Sequence, residues 1–230
     1  MVICMDQFSR LKLITGDDKF NLINNTTVLV LGVGGVGSYA VESLVRSGVG
    51  KIIIVDNDKA DITNLNRQLM TLHSNIGKYK VNVLESRIKD INPNCEVVKI
   101  NSFITNENIN NLFDYNIDYV IDACDTVDTK KSLIRECIIR KIKFISCMGT
   151  GNKLDPSKLE IIDIRKTSYD PLARIIRKMI KDEKIKDKVM VVASTEQPLK
   201  NDTKVIGSNS YVPATAGLLC ASYVINDIIK

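Results

Sequence analysis

No two of the six cysteines (Cys4, Cys95, Cys124, Cys137, Cys147, Cys220) stand at CxxC spacing, and their intervals follow no pattern. That argues against a zinc cage and a disulfide framework, and it points to a reducing cytoplasm. No signal segment is expected, because Asp6 and Arg10 interrupt any apolar run near the start. The last helix-like stretch, Val212 to Ile229, is apolar but carries Ser222, Asn226 and Asp227. It is expected to be a core helix, with no membrane span. His73 is the only histidine, and no second ligand or base lies near it in sequence. It is expected to be a surface or loop residue. There is no internal repeat and no low-complexity segment.

What remains is an ordinary globular composition, 44% hydrophobic and 26% charged over 230 residues, enough for a full core in one domain. The net charge of +5 is unevenly placed. Residues 165–188 hold nine Lys/Arg against four Asp/Glu, and residues 130–143 hold six against one. These windows read either as solvated helix faces or as a surface for a polyanion such as RNA.

Thr27 to Leu31 is a short continuous apolar run, the mark of a strand buried on both faces. A glycine-rich turn follows, then Ala40, Val41, Leu44 and Val45 on one helical face, with Gly48 where a helix end wants φ > 0. Lys51 to Val55 predicts a second buried strand. Helical spacing continues over residues 78–91 and 126–140, and strands are expected at 96–100, 117–121 and 143–147. Beyond Gly151 the pattern changes. Strand-like 159–164, a basic helix over 171–184 and strand-like 188–193 predict an antiparallel extension. The expected fold is α/β, a Rossmann-like, doubly wound and mainly parallel sheet. A single domain is expected over 1–230, with its basic extension at about 152–205.

Gly32, Gly34 and Gly37 form G-x-G-x-x-G between a strand and a helix, with Gly35 inside the turn. Such a turn lets backbone amides approach a phosphate. Asp56 ends the next strand, where a carboxylate can hold ribose hydroxyls. To this point a nicotinamide dehydrogenase fits. It has no use, however, for Arg67 and Lys80 just after the second strand. Phosphoryl chemistry on a triphosphate does, because its developing charge needs cations. Asp122-Ala123-Cys124-Asp125 ends a later strand at the ligand-binding edge, where a carboxylate suits the magnesium of Mg-ATP. Asp122 could equally cap its own turn. Cys124, between acidic residues, reads as buried filler and not as a nucleophile.

The glycine turn, Asp56-Asn57-Asp58, Asn64-Leu65-Asn66-Arg67-Gln68, Lys80 and Asp125 together resemble the ubiquitin-activating-enzyme-like (ThiF/MoeB/HesA) superfamily. The resemblance implies that Arg67 and Lys80 contact ATP phosphates, Asp56 the ribose and Asp125 the metal. It places Asp58, Asn64, Asn66 and Gln68 around the same nucleotide. It also implies a homodimer in which Arg10 reaches the partner's site. The residues from Met148 to Pro156 and Asp163 to Ala173 resemble one branch, the tRNA threonylcarbamoyladenosine dehydratases. That branch activates the modification's carboxylate with ATP and closes a ring, so both basic windows become expected tRNA contacts. The alternative is an activator of a small sulfur-carrier protein, disfavoured by the missing zinc cysteines. Whether a sulfur-transfer protein or an alkali ion takes part stays open at this stage.

Overall fold

The computed structural model describes residues 5–200 and 205–230; Cys4 and residues 201–204 of the basic extension lie outside them. Seven strands form one sheet: β1 (Thr27–Leu31), β2 (Lys51–Val55), β3 (Glu96–Ile100), β4 (Tyr119–Asp122), β5 (Lys143–Cys147), β6 (Leu159–Asp163) and β7 (Met190–Ser194). Their order is β3-β2-β1-β4-β5-β7-β6, parallel throughout except for the β6–β7 pair. The doubly wound reading and the antiparallel extension both hold, and the extension joins the main sheet through Ser146–Val191 and Cys147–Val192.

The apolar strands are continuous in sequence because each serves two cores. Val28, Val30, Ile52, Ile54 and Ile121 pack on one face, while Leu29, Leu31, Ile53, Val55 and Val120 pack on the other. The first face is covered by α3 (Gly37–Arg46), α4 (Lys80–Ile91) and α7 (Tyr211–Ile228). On the second lie α5 (Val127–Arg140) and α6 (Pro171–Asp182), which share a smaller cluster around Ile134, Met148, Ile176 and Val191. Gly48 ends α3 at φ 84°, as its place in the pattern required. Two short helices, α1 (Ser9–Thr15) and α2 (Asp17–Asn24), precede the first strand and had no sequence-based expectation. No helix among the described residues is long and apolar enough to cross a membrane.

Gly217 in α7 sets how closely α7 packs on α3. A Cβ there would lie 2.2 Å from the Val36 carbonyl oxygen and 3.0 Å from the Ala40 nitrogen, both backbone atoms. The helices would have to separate, so Gly217→Ala is expected to cost about 1–3 kcal/mol, as overpacking does. Urea denaturation measures this directly; an unchanged midpoint would mean that the contact yields freely.

Candidate nucleotide site

In an open parallel sheet, ligands bind beyond the carboxyl ends of the strands, where the strand order reverses. Here that point lies between β1 and β4. A cleft of about 960 Å³ opens there, lined by the residues that leave β1, β2, β3, β4 and β5. It brings together Gly32, Gly34, Gly35, Asp56, Asp58, Asn64, Arg67, Gln68, Lys80 and Asp125. Three expected site residues are not in its lining. Gly37 sits beneath, where a Cβ would collide with the Gly32 carbonyl at 1.8 Å, so its role is to let α3 start against the turn. Asn66 points to the Ser208 carbonyl at 2.9 Å and ties two cleft walls together. Arg10 is exposed on α1, away from its own chain's cleft.

Local hydrogen bonds fix the lining. The Asp56 carboxylate accepts from the Val33 and Asp58 amides, both at 2.8 Å, joining the glycine turn to the end of β2. Burial pushes this carboxyl above its ordinary value, and the Lys80 charge works against that rise. Asp61 caps a 3-10 turn at Ile62–Asn64; its side chain accepts from Thr63 and its amide donates to Asn64 Oδ1. The amides of Arg67 and Gln68 then bond to the Asn64 carbonyl, so Asn64 aims the next two side chains from within. Arg67 lies against the glycine turn, its Cγ 3.4 Å from where a Gly35 Cβ would stand. Only its Nη1 is engaged, to the Thr63 carbonyl and Asn66 Oδ1, and it makes no ion pair among the described residues. Lys80 opens α4 and pairs with Asp58 at 2.7 Å, with its side chain only 5% exposed. Gln68 is buried beside Gly34, and its Oε1 has no partner. An unpartnered acceptor beside a nucleotide-sized cleft fits a site completed by ligand or water.

Asp125 is exposed in the cleft and makes no ion pair among the described residues. No group of three or more His, Cys, Asp or Glu that could hold a metal occurs among those residues. One carboxylate fits magnesium, which keeps waters and takes other ligands from phosphates. Asp122 is settled differently. It is 1% exposed and accepts from Lys130 Nζ at 2.8 Å and Ser146 Oγ at 2.6 Å. Its other oxygen accepts from the Cys124 amide and thiol, shaping the turn that carries Asp125. Cys124 lines the cleft, but burial, and then the charge of Asp122, push its thiol well above the usual range. That agrees with filler and not with a nucleophile.

Lys130 corrects an expectation. Its place in a basic window made it a polyanion contact, yet it is fully buried and bonds Asp122, Ser146 and the Cys147 carbonyl. An acidic strand end placed the lysine inward. A second buried pair, Lys153–Asp170 at 3.4 Å, stands at the far end of the cleft. Lys153 also holds the Gly149 carbonyl, and Asp170 caps α6 through the Ala173 amide. Sequence reasoning missed the C-terminal wall as well: Pro198, Ile206, Ser208 and Pro213 come from the segment before α7 and its first turn. Only Pro and Ser beside a long apolar helix hinted at it.

The chain is similar to known proteins along nearly its whole length. The chain is 45% identical to the tRNA threonylcarbamoyladenosine dehydratase of Bacillus subtilis (strain 168), over 98% of this chain and 96% of that protein. It is 37% identical to the enzyme of the same name from Haemophilus influenzae, over 93% and 89% of the two chains. The crystal structure of the Escherichia coli tRNA N6-threonylcarbamoyladenosine dehydratase in complex with ATP superposes with a TM-score of 0.92. It is 33% identical and covers 99% of this chain and 97% of that one. The model of the ThiF family matches residues 6–227, and the chain belongs to that family.

Proposed function

We propose that this protein dehydrates threonylcarbamoyladenosine in tRNA to its cyclic form, using ATP to activate the carboxylate. The observation that carries this reading is one cleft that joins the glycine turn, Asp56, Arg67, Lys80 and Asp125, in a chain so similar to dehydratases along its whole length. The chain is read as one adenylating unit. The turn amides cradle ATP phosphates at the N-terminus of α3. Asp56 holds the ribose, with Asp58, Asn64 and Gln68 shaping the surrounding wall. Asp125 would hold Mg²⁺, which when bound neutralises phosphate charge.

The carboxylate oxygen bonds to the α-phosphorus, and the α–β bridging bond breaks to release pyrophosphate. Arg67 and Lys80 stabilise the charge that gathers on the phosphoryl oxygens. A nitrogen of the same modification then attacks the activated carbonyl, loses its proton, and expels AMP. That closure is intramolecular and gains from high effective molarity. No protein nucleophile is needed, consistent with the inert Cys124.

A homodimer fits Arg10, which is free to enter a second copy's cleft, and α1, which exposes Leu13 and Ile14 at 82% and 85%. A sulfur-transfer protein remains a candidate partner. The five free described thiols fit a reducing compartment such as the cytoplasm.

The test uses Mg-ATP and tRNA isolated with or without the modification, followed by nucleoside mass analysis. Threonylcarbamoyladenosine should lose one water, with AMP and pyrophosphate formed only when the modified tRNA is present. ADP as the product overturns attack at the α-phosphorus; an unchanged nucleoside overturns the function.

A further inference from the structure

The two basic windows are not equivalent once folded. In the α5 window Lys130 is buried with Asp122, and Lys131 pairs with Asp128. Arg135, Arg140 and Lys143 pair with Glu183, Glu136 and Asp227. These carboxylates neutralise most of what looked like a polyanion surface. On α6 the apolar face, Ala173, Ile176, Met179 and Ile180, is buried in the core. The opposite face carries Arg174, Lys178 and Lys181, all exposed and none in an ion pair among the described residues. Spacings of four and three residues put them in one stripe about 10 Å long at 1.5 Å per residue.

Two further observations connect the stripe to the site. The N-terminal turns of α6 supply Pro171, Leu172 and Ile175 to the cleft wall. At the other end Lys181 joins Lys184 and Arg177 around a shallow recess of about 360 Å³, where Arg165 also stands but is paired with Asp163. Arg165 and Arg177 brace that recess from beneath, Arg165 on Asp163 and the Ile185 and Asp187 carbonyls, Arg177 on Thr167. A line of positive charge therefore runs from the cleft mouth along the helix to the recess.

We propose that the exposed stripe of α6, Arg174, Lys178 and Lys181, is the docking track for the RNA backbone. The sugar-phosphate chain lies along the helix while the modified nucleoside enters the cleft past Pro171, Leu172 and Ile175. The α5 surface takes no part. This rests on the dehydratase reading and names the surface that serves it. Such contacts are electrostatic and independent of sequence, with each phosphate contact contributing about 0.7–0.9 to the salt slope.

The experiment measures binding of modified tRNA against salt concentration for the wild type, an Arg174→Gln/Lys178→Gln/Lys181→Gln triple variant and a Lys131→Gln/Lys141→Gln control on α5 and the residue that ends it. The triple variant should bind at least about 10-fold more weakly at low salt and lose about 2–3 from the slope of log K against log[salt]. Its ATP affinity should be unchanged, which shows the cleft intact. The control should stay within about 2-fold of the wild type. Unchanged tRNA binding by the triple variant, or a loss confined to the control, overturns the track. Failure of the dehydratase reading would show separately, as a wild-type protein that leaves the modified nucleoside untouched.

Discussion

Arg67→Ala is expected to lower turnover by about 10²–10³-fold, the scale seen when one donor to developing charge is removed. Of the cations lining the cleft, Lys80 and Lys153 are committed to Asp58 and Asp170. Lys59 has no carboxylate partner among the described residues, but its ammonium lies over the Tyr79 ring. Arg67 alone lies along the glycine turn, with Nη2 and Nε uncommitted. Its own anchors, the Thr63 carbonyl and the Asn66 side-chain oxygen Oδ1, belong to exposed neighbours, so truncation should leave the fold intact. Arg67→Lys keeps the charge but loses the planar fork, and it should recover only part of the rate. Single-turnover AMP formation, run beside ATP affinity, separates chemistry from binding. An alanine variant whose rate stays within a few-fold of wild type, with ATP bound, would rule out a phosphate role.

Lys130→Met is expected to cost about 3–5 kcal/mol of stability, because it strands a buried carboxylate. Lys130 and Asp122 are 0% and 1% exposed at the side chain, and three acceptors take the ammonium's three protons. Burial is the largest single influence and works against the charge of Lys130, but the charge and hydrogen bond of Asp122, together with Cys124 and Cys147, hold the ammonium above its ordinary value. The pair pins α5 to the ends of β4 and β5. Replacing both partners, as Lys130→Met with Asp122→Leu, should recover most of the loss, since an apolar pair needs no compensation. It should still impair activity, because Asp122 also holds the Cys124 amide before Asp125. Urea titration of the three proteins reads the stability terms. A single variant as stable as the wild type would show that water reaches the carboxylate.

The strands of the nucleotide half were legible because buried parallel strands need unbroken Val, Ile and Leu, and Val28 to Leu31 and Ile52 to Val55 have them. The glycine turn, Asp56, Arg67, Lys80 and Asp125 were grouped by the family resemblance, and they line one cleft because each leaves a strand end or a turn on the same edge of the sheet. Charge could not be placed in the same way. Sequence shows a lysine's charge but not its depth, and Lys130 turns inward only because Asp122 and Ser146 arrive from strands 8 and 16 residues away. The same limit hid Lys153–Asp170. The first two helices were unreadable since α1 buries none of its residues and α2 buries only Phe20 and Ile23. Gly217 gave no local signal; its reason lies in α3.

The reversal of strand order between β1 and β4 also dictates a sequence of events in time. β1, α3, β2, α4 and β3 are contiguous and can assemble as the chain emerges. The opposite wall of the nucleotide cleft arrives only when β4 pairs Val28 with Tyr119 and Leu31 with Asp122. Closing so distant a pair is entropically costly and slow. A nascent chain that ends before Asp122 therefore has the glycine turn but only one wall of the crevice. The crevice cannot form before about the midpoint of the chain has been made, when β4 is available to pair with β1.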